Sequence, residues 1–174
     1  MNVWKTNKKA AVWAVLALVL TAALLTGCGA PQAGPSYHCT VSISCASILE
    51  HMELCDKEKA ELVPEDGWLL KPVEVTFQEG QSVFDVLQRV CRDNGIHMEF
   101  SNTPMYNSAY IEGIGNLYEF DCGEQSGWMY AVNGWFPNYG CSRYALKDGD
   151  TVKWVYTCDY GKDVGGAYYA GDGA

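Results

Sequence analysis

The sequence predicts an α+β fold, in which one main helix packs on one face of a mixed β-sheet and a short helix follows the first strand. Two observations support this prediction. Segments with the alternation or the short apolar runs typical of strands recur between turn residues, whereas residues 83–94 carry apolar side chains at helical spacing. Hydrophobic residues make up 48% of the 174 residues, which is enough for the core of one ordinary domain.

The first strand is predicted at residues 37–45, where four apolar side chains alternate with three hydroxyl side chains. Residues 46–61 are predicted to form the short helix, because apolar residues fall on one side and charged residues on the other. After a turn at residues 64–67, extended segments are expected at residues 68–70 and 73–77.

The main helix is expected to begin after Ser82, whose side chain can cap the first turn, and to end at Asn94-Gly95. Its apolar stripe consists of Val83, Val86, Leu87 and Val90.

Further strands are predicted at residues 96–100, 110–114, 117–120, 127–132 and 151–158. Asn133-Gly134 is a strong signal for a two-residue hairpin turn, because both residues tolerate positive φ. The first and last strands are expected to lie parallel at the centre of the sheet. This order of elements predicts a single β-grasp-like domain.

The N-terminal segment is predicted to be a lipoprotein signal peptide covering residues 1–27. Three lysines precede an apolar run that is short for a membrane span, and the run ends in Leu-Thr-Gly-Cys at residues 25–28. This ending resembles the lipobox of bacterial lipoproteins, in which the cysteine is acylated and becomes the new N-terminus. The alternative is an ordinary signal peptide in which Cys28 has no role. We therefore expect a lipid anchor at Cys28, on the extracytoplasmic face of the bacterial cell envelope.

The remaining chain is divided into a flexible tether at residues 28–36, the β-grasp-like domain at residues 37–160 and a glycine-rich tail at residues 161–174 that is expected to be disordered. Removal of residues 1–27 takes away three of the 12 Lys and Arg residues and none of the 21 acidic residues, which leaves a formal net charge of −12. Such an anionic surface repels phosphate groups, so nucleic acid is not expected as a partner.

Seven cysteines remain once Cys28 carries lipid, and they are Cys39, Cys45, Cys55, Cys91, Cys122, Cys141 and Cys158. Outside the cytoplasm we expect disulfides, and the odd number leaves at least one thiol unpaired. The alternative is that some of them stay reduced as small buried hydrophobic residues. The spacing does not decide which cysteines pair.

Three segments together carry a resemblance to a known family. They are VTFQEGQSVFDVLQRV (residues 75–90), MEFSNTPMYNSAYIEGIGN (98–116) and SGWMYAVNGWFPNYGCSRYALKDGDTVKWVYT (126–157). In this order they resemble the transcobalamin-like C-terminal domain family, which includes bacterial lipoproteins of the DUF4430 type. The resemblance covers about residues 72–158 and implies a β-grasp fold and cobalamin binding. In animal cobalamin carriers a large helical domain supplies the other half of the site, so this chain would bind a corrinoid on one open face or with a partner.

The segment at residues 126–140 places five aromatic residues in fifteen positions, among Gly, Asn and Pro. Trp128 is interpreted as a core residue of a strand, whereas the loop at residues 135–139 is interpreted as a stiff, exposed aromatic surface. The resemblance implies that this loop faces the corrin ring and that Asn138 meets amide groups of the ligand. The candidate ligand-binding residues are Trp135, Phe136, Asn138, Tyr139, Tyr106, Asn107 and Tyr130. The alternative is a satellite cluster of the loop aromatics, packed under residues 106–108.

Catalysis is not predicted, because the three histidines lie in separate segments and no hydrolase or metalloprotease motif occurs. His51 and Cys55 are one helical turn apart and are weak candidate metal ligands. The alternative for these two residues is an ordinary place on a helix surface or in the core.

The sequence thus predicts a non-catalytic, lipid-anchored binding protein that requires no cofactor of its own. It would capture a corrinoid or a similar flat cofactor for a membrane importer. The alternatives are a cell-surface interaction module that binds protein or glycan through the 135–139 loop, and a metal-binding surface lipoprotein.

Overall fold

The computed structural model of the protein describes residues 35–103 and 107–166. The β-strands in this part of the chain are β1 (Ser36–Ser44), β2 (Trp68–Gln78), β3 (Met98–Thr103), β4 (Ser108–Ile114), β5 (Leu117–Tyr118), β6 (Gly127–Val132) and β7 (Asp150–Thr157). The α-helices are α1 (Ala46–Glu50), α2 (Lys57–Ala60) and α3 (Val83–Asp93), and 3-10 helices cover Met52–Leu54, Cys141–Arg143 and Lys162–Val164. Among the described residues, no helix has the length and apolar content needed to cross a membrane.

The predicted α+β class is confirmed, but the strands form two sheets instead of one. The larger sheet has the strand order β2-β1-β7-β6, and the smaller sheet is antiparallel with the order β3-β4-β5. In the larger sheet, β1 pairs in parallel with β7, and β2 and β6 pair antiparallel at the two edges. The first and last strands are therefore central and parallel, as predicted.

The two extended segments predicted around Pro72 form one strand, β2. The pairing with β1 shifts between Val41, which faces Val73, and Ile43, which faces Leu70, so two residues of β2 oppose one of β1. A proline has no N–H to donate, and it is tolerated where β2 is an edge strand with a bulge. The proline therefore bends the strand without ending it.

The single short helix predicted at residues 46–61 is replaced by three shorter pieces: α1, the 3-10 helix Met52–Leu54 and α2. The chain is extended at Cys55 (φ −82°, ψ 136°), and the next N–H, that of Asp56, donates to the Asp121 carbonyl at 2.9 Å. This contact with a distant segment takes the place of a hydrogen bond within a helix. The prediction from charge periodicity missed it, because Asp121 lies far along the chain.

The main helix, α3, has the N-terminal cap that the sequence predicts. The Ser82 hydroxyl accepts a hydrogen bond from the Asp85 N–H (3.2 Å), and the Asp85 carboxylate accepts one from the Ser82 N–H (2.7 Å). This capping box satisfies two of the N–H groups that the start of a helix leaves unpaired. The four residues of the predicted apolar stripe are each no more than 2% exposed.

The main core lies between α3 and the inner face of the larger sheet. The sheet contributes Val41, Ile43, Val152 and Trp154, each no more than 2% exposed. A second cluster of buried residues lies near the end of β7, and it consists of Cys45, Ile48, Leu117, Cys122, Tyr156 and Cys158. Alternation along β7 directs Lys153 and Val155 to the opposite, outer face of the sheet.

The first part of the segment predicted as a disordered tail is folded. Lys162–Val164 forms a 3-10 helix, and the Asp163 carboxylate accepts hydrogen bonds from the Cys158 N–H (2.7 Å) and the Thr157 hydroxyl. The chain is therefore folded at least as far as Gly166, beyond the predicted boundary at residue 160. Glycine content alone did not reveal the carboxylate that holds this turn.

Replacing Ser82 by alanine should lower the free energy of unfolding by about 1 kcal/mol, because the Asp85 N–H loses its side-chain acceptor. Urea denaturation of the full chain measures this change. Ser36→Ala is the control, since Ser36 is an exposed strand residue. Equal effects of the two substitutions would contradict the capping role.

The stability of the protein should fall as the pH rises above 9, because burial raises the pKa of the Cys91 thiol from 9.0 to about 12. The thiol ionises more easily in the unfolded chain, so its contribution is complete below pH 9 and is lost as the pH rises towards 12. Between these pH values, one such group lowers the free energy of unfolding by about 1.4 kcal/mol per pH unit. Urea denaturation at several pH values measures the slope, and Cys91→Ala should reduce it. An unchanged slope in this variant would rule out Cys91 as a source.

Candidate functional site

A cleft of about 410 Å³ opens between β4 and β6. The loop that follows β6, residues 137–143, forms its third side and is called the cleft loop below. The inner-facing residues of β6 and Trp154 of β7 form its floor. A volume of this size lies within the range of about 300–1,000 Å³ found for small-molecule sites. The cleft is therefore the candidate functional site.

The floor of the cleft is aromatic. Tyr130 and Trp154 face each other across β6 and β7, and their ring centroids are 5.4 Å apart. Tyr130 is 8% exposed and Trp154 is 2% exposed. Trp128, on the same face of β6, extends the aromatic surface. Such a floor favours a flat, apolar ligand.

The indole N–H of Trp154 has no hydrogen-bond partner among the described residues, although the atom is buried. The indole of Trp128, in contrast, donates to the Leu117 carbonyl at 2.8 Å. An unpaired buried donor costs about 1–3 kcal/mol, and a native protein that keeps one usually has a reason for it. Because Trp154 also lines the cleft, a ligand whose acceptor atom reached this N–H would satisfy the donor.

The hydroxyl of Tyr130 ties the floor to the cleft loop. It donates a hydrogen bond to the Tyr139 carbonyl at 2.8 Å. Burial raises the pKa of Tyr130 above its ordinary value, with smaller contributions from neighbouring thiol and phenol groups. The phenol is therefore neutral and remains a donor at physiological pH.

Aromatic rings continue from the floor to the surface. Tyr130 meets Tyr144 edge-on with centroids 6.4 Å apart, and Tyr144 stacks on Tyr139 at 6.1 Å with an interplanar angle of 14°. Trp135 then meets Tyr139 at 6.2 Å. Tyr139 is 36% exposed and Trp135 is 51% exposed, so the series ends in solvent.

The cleft loop is held against β4 by a close approach that requires glycine. A Cβ atom built on Gly140 would lie 1.7 Å from the Ser108 Oγ and 2.5 Å from its Cβ. The next residues fix the contact, because the Ser142 hydroxyl lies 3.0 Å from the Ser108 Oγ and accepts from the Ala109 N–H at 2.9 Å. This contact sets the distance between two sides of the cleft.

The rim carries polar groups. The Tyr110 hydroxyl donates to the Glu119 carboxylate, and burial together with this carboxylate raises the pKa of Tyr110. Arg143 also lines the cleft, and in the described part of the chain no carboxylate lies within ion-pair distance of its guanidinium. The free cation would attract a carbonyl, carboxylate or phosphate oxygen of a ligand.

The structure brings together only some of the predicted ligand-binding residues. Tyr130, Asn138 and Tyr139 line the cleft, and Trp135 contacts it through the ring of Tyr139. Phe136 and Asn107 do not line it. Tyr106 and the predicted lipidation site Cys28 lie outside the described residues.

Phe136 and Asn107 have other surroundings. Phe136 borders a second hollow of about 540 Å³ on the outer face of the larger sheet, with Ala131 and Lys153. A Cβ atom built on Gly166 would lie 3.2 Å from the Phe136 ring, so the backbone at Gly166 packs on it. Asn107 is exposed, with a left-handed backbone (φ 44°).

Sequence reasoning missed Trp154, Arg143 and the close approach at Gly140. Trp154 alternates with Val152 and Tyr156 along the last predicted strand, which marks it as an inner-face residue. That signal identifies burial, but it does not reveal an unpaired N–H. Nothing in the local sequence distinguishes Gly140 from an ordinary turn glycine.

His51 and Cys55, the weak candidate metal ligands, are not on one helical face. The helix that would align them ends at Glu50, and the Cys55 sulfur instead lies 2.7 Å from that of Cys122. Within residues 35–103 and 107–166, no group of three or more His, Cys, Asp or Glu side chains is arranged to hold a metal ion.

Comparisons with known proteins confirm the resemblance read from the sequence. Residues 80–158 match the family described as "Domain of unknown function (DUF4430)". No curated protein matches the chain. The structure is similar to that of haptocorrin in complex with Cbi, with a TM-score of 0.53 and 13% identity over 71% of this chain. This chain spans 25% of the haptocorrin chain, and identity at this level shows a likeness of fold alone.

A second similar structure belongs to a protein from Ruminococcus gnavus ATCC 29149 that is provisionally described as metal binding. The match covers 70% of this chain and 96% of that chain, with 16% identity and a TM-score of 0.41.

Gly140→Ala should lower the free energy of unfolding by about 2 kcal/mol, because the added methyl group overlaps Ser108 and pushes the cleft loop from β4. Ser108→Gly removes the overlapping atoms and should restore part of the loss in the double variant. Gly127→Ala is the matched control, since its nearest contact would be an ordinary 3.7 Å. Urea denaturation measures all four proteins, and equal losses for the two alanine variants would contradict the close approach.

Proposed function

We propose that this protein is a non-catalytic, lipid-anchored binding protein of the bacterial envelope, and that the cleft captures a corrinoid or a similar flat cofactor for a membrane importer. The observation that carries the proposal is the cleft itself. It combines an aromatic floor with a buried, unpartnered indole N–H at Trp154. A concave apolar site with a few polar groups is the usual form of a small-molecule site.

We also propose that the domain is a β-grasp. The parallel central strands β1 and β7, and α3 as the one long helix among the described residues, packed on the inner face, support this assignment. The fold likeness to haptocorrin is consistent with it, and that protein is bound to Cbi. The lipid anchor and the extracytoplasmic location rest on the signal at residues 1–28.

The chemistry of the cleft limits the class of ligand. The floor offers flat apolar contact, the Trp154 N–H needs an acceptor, and Arg143 is a cation at the rim. A matching ligand is planar and apolar at its centre and carries carbonyl or anionic oxygens at its edge. A corrin ring with amide substituents has this distribution of groups.

The size of the cleft limits the mode of binding. A volume of about 410 Å³ is in the lower half of the range for drug-sized ligands, and a corrinoid is larger than those. One edge or one face of the macrocycle would therefore be enclosed and the other would stay open. The exposed face is where an importer or a second protein would complete the site.

A specific observation favours a second candidate, a surface module that binds protein or glycan. Trp135, Tyr110 and Tyr139 are 51%, 48% and 36% exposed beside the cleft. Exposed aromatic side chains in one area are typical of interaction surfaces. The two candidates differ in whether the buried floor or the exposed rim makes the contact. The metal-binding alternative has no observation in its favour within the described residues.

Titration of the full chain with cobalamin, followed by tryptophan fluorescence and the corrin absorption band, tests the proposal. Saturable binding is expected. Trp154→Phe removes the N–H and keeps an aromatic ring, so it should weaken binding by about fivefold, the value of one ordinary hydrogen bond. Tyr139→Ala removes a side of the cleft and should weaken binding more than about tenfold.

Phe136→Ala is the control, because Phe136 lies on the outer face of the sheet. This variant should bind within about twofold of the unaltered protein. Loss of binding in Phe136→Ala but not in Trp154→Phe would show that the ligand binds outside the cleft. No saturable binding up to about 50 μM cobalamin would overturn the corrinoid proposal and favour the interaction module.

A further inference from the structure

Two cysteines that are far apart in the sequence meet in the fold. The sulfur atoms of Cys55 and Cys122 are 2.7 Å apart, although the two residues are 67 positions apart in the sequence. A disulfide bond is about 2.05 Å long, so only a small adjustment separates this pair from bonding distance. Cys122 is fully buried and Cys55 is half-buried.

The backbone beside both cysteines is already fixed in register. Next to them, the Asp56 N–H donates to the Asp121 carbonyl at 2.9 Å. The Lys59 ammonium group lies 2.9 Å from the Asp121 carboxylate and donates to the Asn116 carbonyl at 2.9 Å. The two segments that carry the cysteines are therefore held together by contacts other than the sulfur contact itself.

We propose that Cys55 and Cys122 form a structural disulfide in the mature protein. The two thiols lose two protons and two electrons as the sulfur–sulfur bond forms, and a protein disulfide of the envelope takes them up as two thiols. The more exposed Cys55 sulfur attacks that disulfide and forms a mixed disulfide. The Cys122 sulfur then attacks the Cys55 sulfur, and the oxidant leaves as its reduced dithiol.

The other cysteines are placed differently. Cys39, Cys91 and Cys141 are buried in the main core with no sulfur partner among the described residues. Cys45 and Cys158 belong to the second buried cluster, together with Cys122. Cys45 and Cys158 are therefore the alternative disulfide partners for Cys55 or Cys122, but neither makes a direct sulfur–sulfur contact in the described part of the chain. The expected product has one cross-link, and these five cysteines remain thiols.

The disulfide would support one side of the cleft. It ties the segment around the 3-10 helix Met52–Leu54 to the turn that follows β5. Leu117 and Glu119, just before this turn, hold the Trp128 indole and the Tyr110 hydroxyl. The cross-link thus stabilises residues that position two cleft side chains. It goes beyond the proposed ligand, because it forms whether or not the cleft binds a corrinoid.

Peptide mapping tests the cross-link directly. The reduced full chain is incubated with oxidised glutathione, free thiols are alkylated under denaturing conditions, and the digest is analysed by mass spectrometry. The expected result is a peptide pair joined through Cys55 and Cys122, with Cys39 and Cys91 alkylated. Alkylation or glutathionylation of both Cys55 and Cys122, or a link from either one to Cys45 or Cys158, would overturn the proposal.

Thermal unfolding provides the second readout. Reduction of the oxidised protein with dithiothreitol should lower the Tm by on the order of 10 °C, because a cross-link that closes a long loop is lost. Cys55→Ala should unfold at the same Tm with and without reductant. Cys91→Ala is the matched control, a buried cysteine outside the pair, and should keep the full reductant effect. A reductant effect that persists in Cys55→Ala would contradict the pairing.

Discussion

The parallel pairing of β1 with β7 is the interaction on which the rest of the structure depends. Parallel neighbours cannot be joined by a tight turn, so the whole chain between Ser44 and Asp150 serves as their connection. That connection supplies α3 to cover the inner face and the strands that become the smaller sheet. Beside the first paired residues of β1 and β7, the His38 N–H donates a hydrogen bond to the Asp148 carboxylate at 2.8 Å. This bond joins residues that are 110 positions apart in the sequence. The centre of the fold therefore consists of contacts between residues that are far apart in the sequence.

The cleft follows from how the inner face of the sheet is covered. Beneath β1 and β7 the cover is α3, a regular helix that packs closely against aliphatic side chains. At β6 the cover is β4 and the cleft loop, and their separation is fixed by the contact of Gly140 with Ser108. Two rigid backbones held at a set distance leave space that side chains of β6 and β7 do not fill. Trp154 lies at this boundary, and its N–H is left without a partner.

Elements that depend on neighbouring residues were predictable from the sequence, whereas contacts between distant segments were not. The α3 cap at Ser82 and the turn at Asn133-Gly134 (φ 52° and 81°) are local, and both are as predicted. The division into two sheets and the break in the helix at residues 46–61 are set by partners far along the chain. The site shows the same pattern. The aromatic composition of the loop correctly indicated Tyr139 as a cleft residue. The alternation of residues along the sequence did not show that Phe136 lies on the opposite face of the larger sheet.

Trp128 links the two buried clusters, and this link connects the cleft to the cysteine pair. Its ring lines the cleft and also meets Tyr156 edge-on, with centroids 5.3 Å apart. Tyr156 in turn donates to the Tyr118 carbonyl at 2.7 Å, at the start of the turn that carries Cys122. Packed aromatic rings and hydrogen bonds of this kind have few alternative arrangements, because the interior is dense. A change in the position of the Cys122 turn would therefore move Trp128, and with it the floor on which a ligand would rest.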